Sequence, residues 1–192
     1  MTGPRPLAAP SIPNDRIDRY LRETVARIEG ELRHPPRSVV LVGSLASGDF
    51  HPASSDLDLI VVARTRLTPE EKAGLSAVLR HGVHPCPAHG LDLIVYADEA
   101  IVEAVREPRY EYSLATGAAW TDEISPGGPY PGGLIDLAAA RSFGRPLRGP
   151  HPGTVFGAIP DGWIQRSSGV PWNGIGSGST TRSTTRGVPT RC

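Results

Sequence analysis

The sequence predicts an α/β protein: a small mixed β-sheet flanked by helices, followed by a short helical segment and a disordered tail. Three observations carry that expectation. Apolar runs of strand length, rich in Val, Ile and Leu, recur near residues 38–42, 56–63 and 91–96. Stretches of helical period separate or precede them. After Trp163 the composition changes abruptly to Ser, Thr, Gly and Arg, and no acidic residue follows Asp161.

Taken in order, residues 1–13 are rich in proline and predict a flexible leader. Asn14 suits a helix N-cap, with Asp15 and Asp18 placed well against the helix dipole. Ile17, Tyr20, Leu21, Val25, Ile28 and Leu32 then repeat at helical spacing, predicting an amphipathic helix to about His34 that Pro35-Pro36 stops. The first strand follows at 38–42, with a short helix starting after Ser44. The second strand covers 56–63. Thr68-Pro69-Glu70-Glu71 reads as a capping box with proline at the first helical position, opening a helix to about His81. A loop to His89 leads into the third strand at 91–96, and a short helix is expected over 98–106. Leu134 to Phe143 predicts a last helix, with Gly144 just past its end. The organisation expected is a leader (1–13), a main domain (14–107), a linker with the start of a truncated helical domain (108–163) and a low-complexity, disordered tail (164–192).

The whole-chain quantities bound the function. With 192 residues the chain has room for one full domain and the beginning of a second. Twenty basic and 20 acidic residues cancel, so bulk charge gives no argument for nucleic acid as partner. The two cysteines, Cys86 and Cys192, make no disulfide framework. The N-terminus lacks the apolar core of a signal peptide, and no apolar run approaches membrane-spanning length. A soluble, cytoplasmic protein without a membrane partner is the expectation.

The chemistry lies in the first two strands. Gly43-Ser44 ends the first apolar run, and Ser55-Asp56-Leu57-Asp58 opens the second. Alternate strand residues share a face, so Asp56 and Asp58 project to one side while Leu57 and Leu59 project to the other. Two carboxylates about 4 Å apart repel by roughly 4 kcal/mol at an effective dielectric of about 20. A cation between them removes that cost, and oxygen ligands favour a hard ion such as Mg2+ that also binds substrate phosphates. Glycine lets backbone approach a phosphate, and Ser44 with the amides of a helix start can cradle the anion. Asp92 sits inside the third apolar run, where an aspartate is costly unless satisfied, so it reads as a third member of the metal and catalytic group.

Gly-Ser, a spacer, Asp-x-Asp on a strand and a later acidic strand resemble the polymerase-beta-like nucleotidyltransferase superfamily. More narrowly, the chain is similar to the aminoglycoside adenylyltransferases that modify streptomycin and spectinomycin. The similarity continues through Pro108-Arg109-Tyr110-Glu111 to Trp120-Thr121-Asp122-Glu123, then Asp136-Leu137-Ala138-Ala139-Ala140-Arg141 and Gly144-Arg145-Pro146-Leu147-Arg148-Gly149-Pro150, a helix and turn. It covers about residues 15 to 163.

The resemblance implies a nucleotidyltransferase fold, ATP as co-substrate, Mg2+, and transfer of AMP to a hydroxyl of an aminoglycoside-type acceptor, hence antibiotic resistance. It implies nucleotide contacts for Gly43, Ser44 and Ser55, and metal binding for Asp56, Asp58 and Asp92. Asp92 becomes the base for the acceptor hydroxyl, although the streptomycin-type enzymes typically carry glutamate there. Trp120 takes the place of a tryptophan that lines the acceptor cleft. Ser55 equally suits a cap or a turn. In that family a helical domain closes the cleft, and residues 165–192 have no period from which to build one; they read as a truncation or an altered reading frame. A non-catalytic nucleotide-binding remnant, or a minimal antitoxin-like nucleotidyltransferase that modifies a protein partner, remain alternatives. His81, His84, Cys86 and His89 have zinc-ligand chemistry, but they crowd one proline-stiffened stretch, and a loop is expected there.

Overall fold

The computed structural model describes residues 14–103, 105–130, 132–160 and 163. The leader 1–13 and the tail 164–192 lie outside the described residues. Helix α1 (Asp15–Glu31) begins where Asn14 accepts a hydrogen bond from the Arg16 amide at 2.9 Å, and it buries Ile17, Tyr20, Leu21, Thr24 and Ile28 along one stripe. Strand β1 (Ser38–Val42) runs directly into the five-residue helix α2 (Gly43–Ser47). Strand β2 (Leu57–Ala63) follows, every residue of it buried. Helix α3 (Pro69–Leu79) opens with the expected capping box: Thr68 accepts from the Glu71 amide at 3.2 Å and Glu71 accepts from the Thr68 amide at 2.8 Å. Strand β3 is Gly90–Ala97.

Beyond β3 the chain departs from the expected pattern. In place of a helix over 98–106 there is one 3-10 turn, Asp98–Ala100. Arg37 pairs with Asp98, and the Glu111 amide donates to Val95 O at 2.7 Å, so the segment must reverse direction within a few residues. The β-branched Val102 and Val105, followed by Pro108, give a longer helix little support.

Within the stretch 108–163, expected as a linker and the start of a helical domain, residues 112–117 and 120–125 extend the main sheet. Strands β4 (Arg109–Tyr110), β5 (Tyr112–Gly117), β6 (Trp120–Ser125) and β7 (Gly128–Pro129) follow in turn. Helix α4 (Gly133–Phe143) is the expected helix. The turn expected after it is an edge strand, β8 (Arg145–Arg148), paired antiparallel with β1, and a one-turn helix α5 (Pro152–Val155) comes after.

The main sheet has the order β6-β5-β3-β2-β1-β8, with β2 and β3 parallel and the other neighbours antiparallel; β4 and β7 form a separate pair. Alternation along the strands divides the core into two layers. Leu41, Leu57, Leu59, Val61, Leu91, Leu93 and Val95 face α1 and α3. Val40, Val42, Ile60, Val62, Ile94 and Tyr96 face α4 and α5 through Leu137, Ala140, Val155 and Phe156. Each such side chain contributes about 1.5–3 kcal/mol by leaving water. No helix among the described residues is long and apolar enough to cross a membrane.

Candidate active site

The two-layer packing determines where the carboxylates point. Leu57 and Leu59 belong to the layer beneath α1 and α3, so Asp58 faces the opposite side, as the alternation predicts. On that side Asp58 lies opposite Val42 of β1 and opposite Asp92 of β3. Asp92 in turn lies opposite Ala115 of β5, and Ala115 opposite Glu123 of β6. One transverse row therefore reads Val42, Asp58, Asp92, Ala115, Glu123. Asp58 and Asp92 are a single strand spacing apart, about 4.8 Å.

Gly43 stands over this pair. Its φ of +65° is left-handed, and a Cβ built on it would lie 1.9 Å from Oδ2 of Asp58. Glycine is required there both by conformation and by space. Gly43 and Ser44 open α2, whose N-cap, Val42, has no side chain with which to satisfy the first amides. Backbone at the start of α2 thus lies beside the Asp58 carboxylate, with Ser44 next along the chain.

The aspartates are held under electrostatic stress. Asp58 is 3% exposed, and its Oδ1 has no hydrogen-bond partner among the described residues. Burial, then Asp92, Asp56 and Asp136, pushes its carboxyl up to about 9. Burial, then Asp56 and Glu123, raises Asp92 to about 7. Groups that resist ionisation in this way are the ones a cation would stabilise, so the donor set fits a hard divalent ion. Among the described residues no three His, Cys, Asp or Glu side chains are already gathered as a metal-ligand group. Asp56 is instead engaged with His89, Oδ1 to Nδ1 at 3.1 Å.

The other expected site residues take different places. Ser55 accepts from the His51 amide at 3.1 Å and donates its own amide to His51 O at 2.8 Å, so its hydroxyl holds the turn before Asp56. Trp120 opens β6 opposite Gly117, while its side chain lies outside the described part of the structure. The four residues with zinc-ligand chemistry point apart. His84 stacks on Tyr20 at 4.1 Å and meets Thr24 at 2.9 Å, Cys86 donates to Gly90 O, His81 meets the Cys86 amide, and His89 meets Asp56.

Two acidic residues were missed from the sequence. Asp136 on α4 is buried, its carboxylate takes a hydrogen bond from Tyr130, and its Oδ2 has no partner among the described residues. From the sequence it reads only as an acid in the first turn of a helix, and its burial appears when α4 packs on the sheet. Glu123 gave no signal, because its neighbourhood is created only by the β5–β6 pairing. A cleft of about 390 Å3 opens beside it, bounded by Asp92, Ser113, Tyr110, Tyr130, Glu123 and Ser125 among others.

A sheet that presents carboxylates on one face, next to a Gly-Ser turn and an open cleft, has the chemistry that metal-assisted phosphoryl or nucleotidyl transfer requires. Residues 20–102 match the family described as Nucleotidyltransferase domain. The fold of the chain is similar to that of spectinomycin adenyltransferase AAD(9) from Enterococcus faecialis, solved with ATP and spectinomycin, at a TM-score of 0.60 and 16% identity. The likeness covers 80% of this chain, which spans 64% of that one. Among curated proteins, none matches the sequence.

Proposed function

We propose that this domain transfers AMP from Mg-ATP to a hydroxyl of an aminoglycoside-type antibiotic, streptomycin or spectinomycin, and that the transfer confers resistance in the cytoplasm. The observation that carries the reading is the position of Asp92. It is the one residue that belongs both to the paired carboxylates and to the cleft. A base there can reach a hydroxyl entering from the cleft while the nucleotide lies toward Gly43 and Ser44.

Asp56, Asp58 and Asp92 would hold Mg2+, which would neutralise charge on the triphosphate and on the departing pyrophosphate. Gly43 and Ser44 bring backbone amides and a hydroxyl to the phosphates. Ser55 fixes the turn that delivers Asp56, and His89 orients the Asp56 carboxylate. The acceptor oxygen attacks the α-phosphorus in line, the bond from that phosphorus to the bridging oxygen of pyrophosphate breaks, and the hydroxyl proton passes to Asp92. Burial raises the Asp92 carboxyl, to about 7 without a cation, so it accepts a proton more readily than an ordinary carboxylate. Trp120 would contact the acceptor.

Incubation with labelled ATP, Mg2+ and streptomycin or spectinomycin tests the reading, with Asp58→Asn alongside. Labelled product from the wild type and none from the variant is expected. ATP binding without transfer to either acceptor would reduce the domain to a nucleotide-binding module.

A further inference from the structure

The open cleft has a lopsided chemistry. Its walls include two carboxylates, Asp92 and Glu123, two tyrosines, Tyr110 and Tyr130, and two serines, Ser113 and Ser125, and no Lys, Arg or His. The tyrosine rings meet edge to face, with centroids 6.2 Å apart at 81°, and each is tied by its hydroxyl: Tyr110 to Ser125 at 2.8 Å, Tyr130 to Asp136. Their positions are therefore fixed, and they offer ring edges and faces rather than free hydroxyl donors. Glu123 is exposed, whereas Asp56, Asp58 and Asp136 are buried. Among the described residues its side chain has no hydrogen bond or ion pair, while Asp56 meets His89 and Asp136 meets Tyr130.

The register gives this freedom a geometry. Asp92 and Glu123 flank Ala115 in the same transverse row, two strand spacings apart, roughly 10 Å. The methyl of Ala115 between them leaves the floor low. Helices α4 and α5 cover the part of this face made by β1 to β3, and the β5–β6 part remains open as the cleft.

We propose that Glu123 is the specificity-determining anchor for the acceptor: it pairs with an ammonium or guanidinium group and sets a hydroxyl of the same molecule, one sugar-ring width away, on Asp92. The substrate class is a hydroxylated amine with cation and reacting hydroxyl separated by the breadth of Ala115 and its two strands. Anionic acceptors, including nucleic acid ends, are repelled by the same pair of carboxylates. The inference rests on the nucleotidyl-transfer reading for its orientation, but its binding half stands without chemistry.

Calorimetric titration of the full chain with streptomycin and with spectinomycin, separately, tests it, using Glu123→Gln, Glu123→Asp and Glu123→Lys. The wild type should bind at least one of the two. In Glu123→Gln the dissociation constant should rise about tenfold, the equivalent of ~1.4 kcal/mol. Glu123→Asp should recover part of the loss, and Glu123→Lys should lose more. Mg-ATP affinity and the circular dichroism spectrum should remain those of the wild type, since Glu123 is exposed and lies beyond Asp92 from the Gly-Ser turn. Equal affinity in wild type and Glu123→Gln, or no binding of either compound by the wild type, overturns the inference. Wild-type transfer of AMP together with equal affinities leaves the proposed function standing and removes Glu123 from it. Cation binding that depends on Glu123 without any transfer does the reverse.

Discussion

A Cβ at Gly43 would fall 1.9 Å from Oδ2 of Asp58, closer than any two such atoms can come. The glycine at the end of β1 and the aspartate on β2 are therefore a matched pair, and the backbone lies against the carboxylate because no side chain intervenes. Gly43→Ala should cost at least ~1 kcal/mol, from the left-handed φ together with the displaced carboxylate. It should also weaken transfer, since Asp58 must turn away from Asp92. Denaturant melts and single-turnover transfer on the same preparation check both effects.

Asp92 makes the pH dependence legible. Burial, Asp56 and Glu123 raise it from 3.8 to about 7, and the form that accepts a proton is the ionised one. In Mg2+ the transfer rate should rise with pH somewhere between about 4 and 7, below the metal-free value because a bound cation favours the ionised carboxylate, and level off above it. Asp92→Asn should lower the rate by roughly 10²–10⁴-fold and abolish that rise. A rate independent of pH across this interval would remove Asp92 from the role of base.

How much of this could be read from the sequence varied with the kind of signal. The strands bearing Asp58 and Asp92 are unbroken apolar runs, so the acids stand out within them. The alternation that separates Asp58 from Leu57 and Leu59 is a property of any strand. Strands β5, β6 and β8 were invisible for the opposite reason. Ser113, Ala115 and Thr116, or Arg145 and Pro146, have no strand period of their own, and their conformation is set by pairing with β3 and β1. The short helix expected after β3 failed because a local pattern was overruled by the need to turn back toward β5. Asp136 reads from sequence as an acid near a helix N-terminus, and only the packing of α4 reveals it as buried. Glu123 depends on a register no local pattern encodes.

Gly144 ends α4 for a reason other than left-handed backbone. Its φ is −60° and ψ 145°, open to any residue, but an added Cβ would lie 2.3 Å from Ala140 O and 2.6 Å from Val40 Cγ1. The contact is with helix backbone and a buried strand side chain, neither of which can yield freely. Gly144→Ala should destabilise by ~1–3 kcal/mol, like other overpacked sites. Because the strain falls where α4 turns into β8, the amides of β1 that bond β8 should exchange faster with solvent. Hydrogen exchange on the variant, compared with wild type, reads this out.

Asp58 links pH, metal and stability in a single direction. Its carboxyl has an ordinary value of 3.8 and sits at about 9 in the fold, raised by burial and then by Asp92, Asp56 and Asp136. Between those values the folded chain keeps a proton that the unfolded chain has released. Stability of the metal-free protein should therefore fall as pH rises through that window. Asp58→Asn removes the group that must either hold this proton or sit ionised beside Asp92. At about pH 8 the metal-free variant should be more stable than wild type, because its amide has no proton that the unfolded chain releases at that pH. The advantage should shrink toward about pH 4, where Asp58 is protonated in both states. On the proposed metal site, Mg2+ should raise the wild-type Tm, with the rise lost or much reduced in the variant. Thermal melts at several pH values, in chelator and in Mg2+, measure all three effects together. A Tm that is equal in wild type and variant under every condition would mean that Asp58 neither bears the strain nor holds the metal.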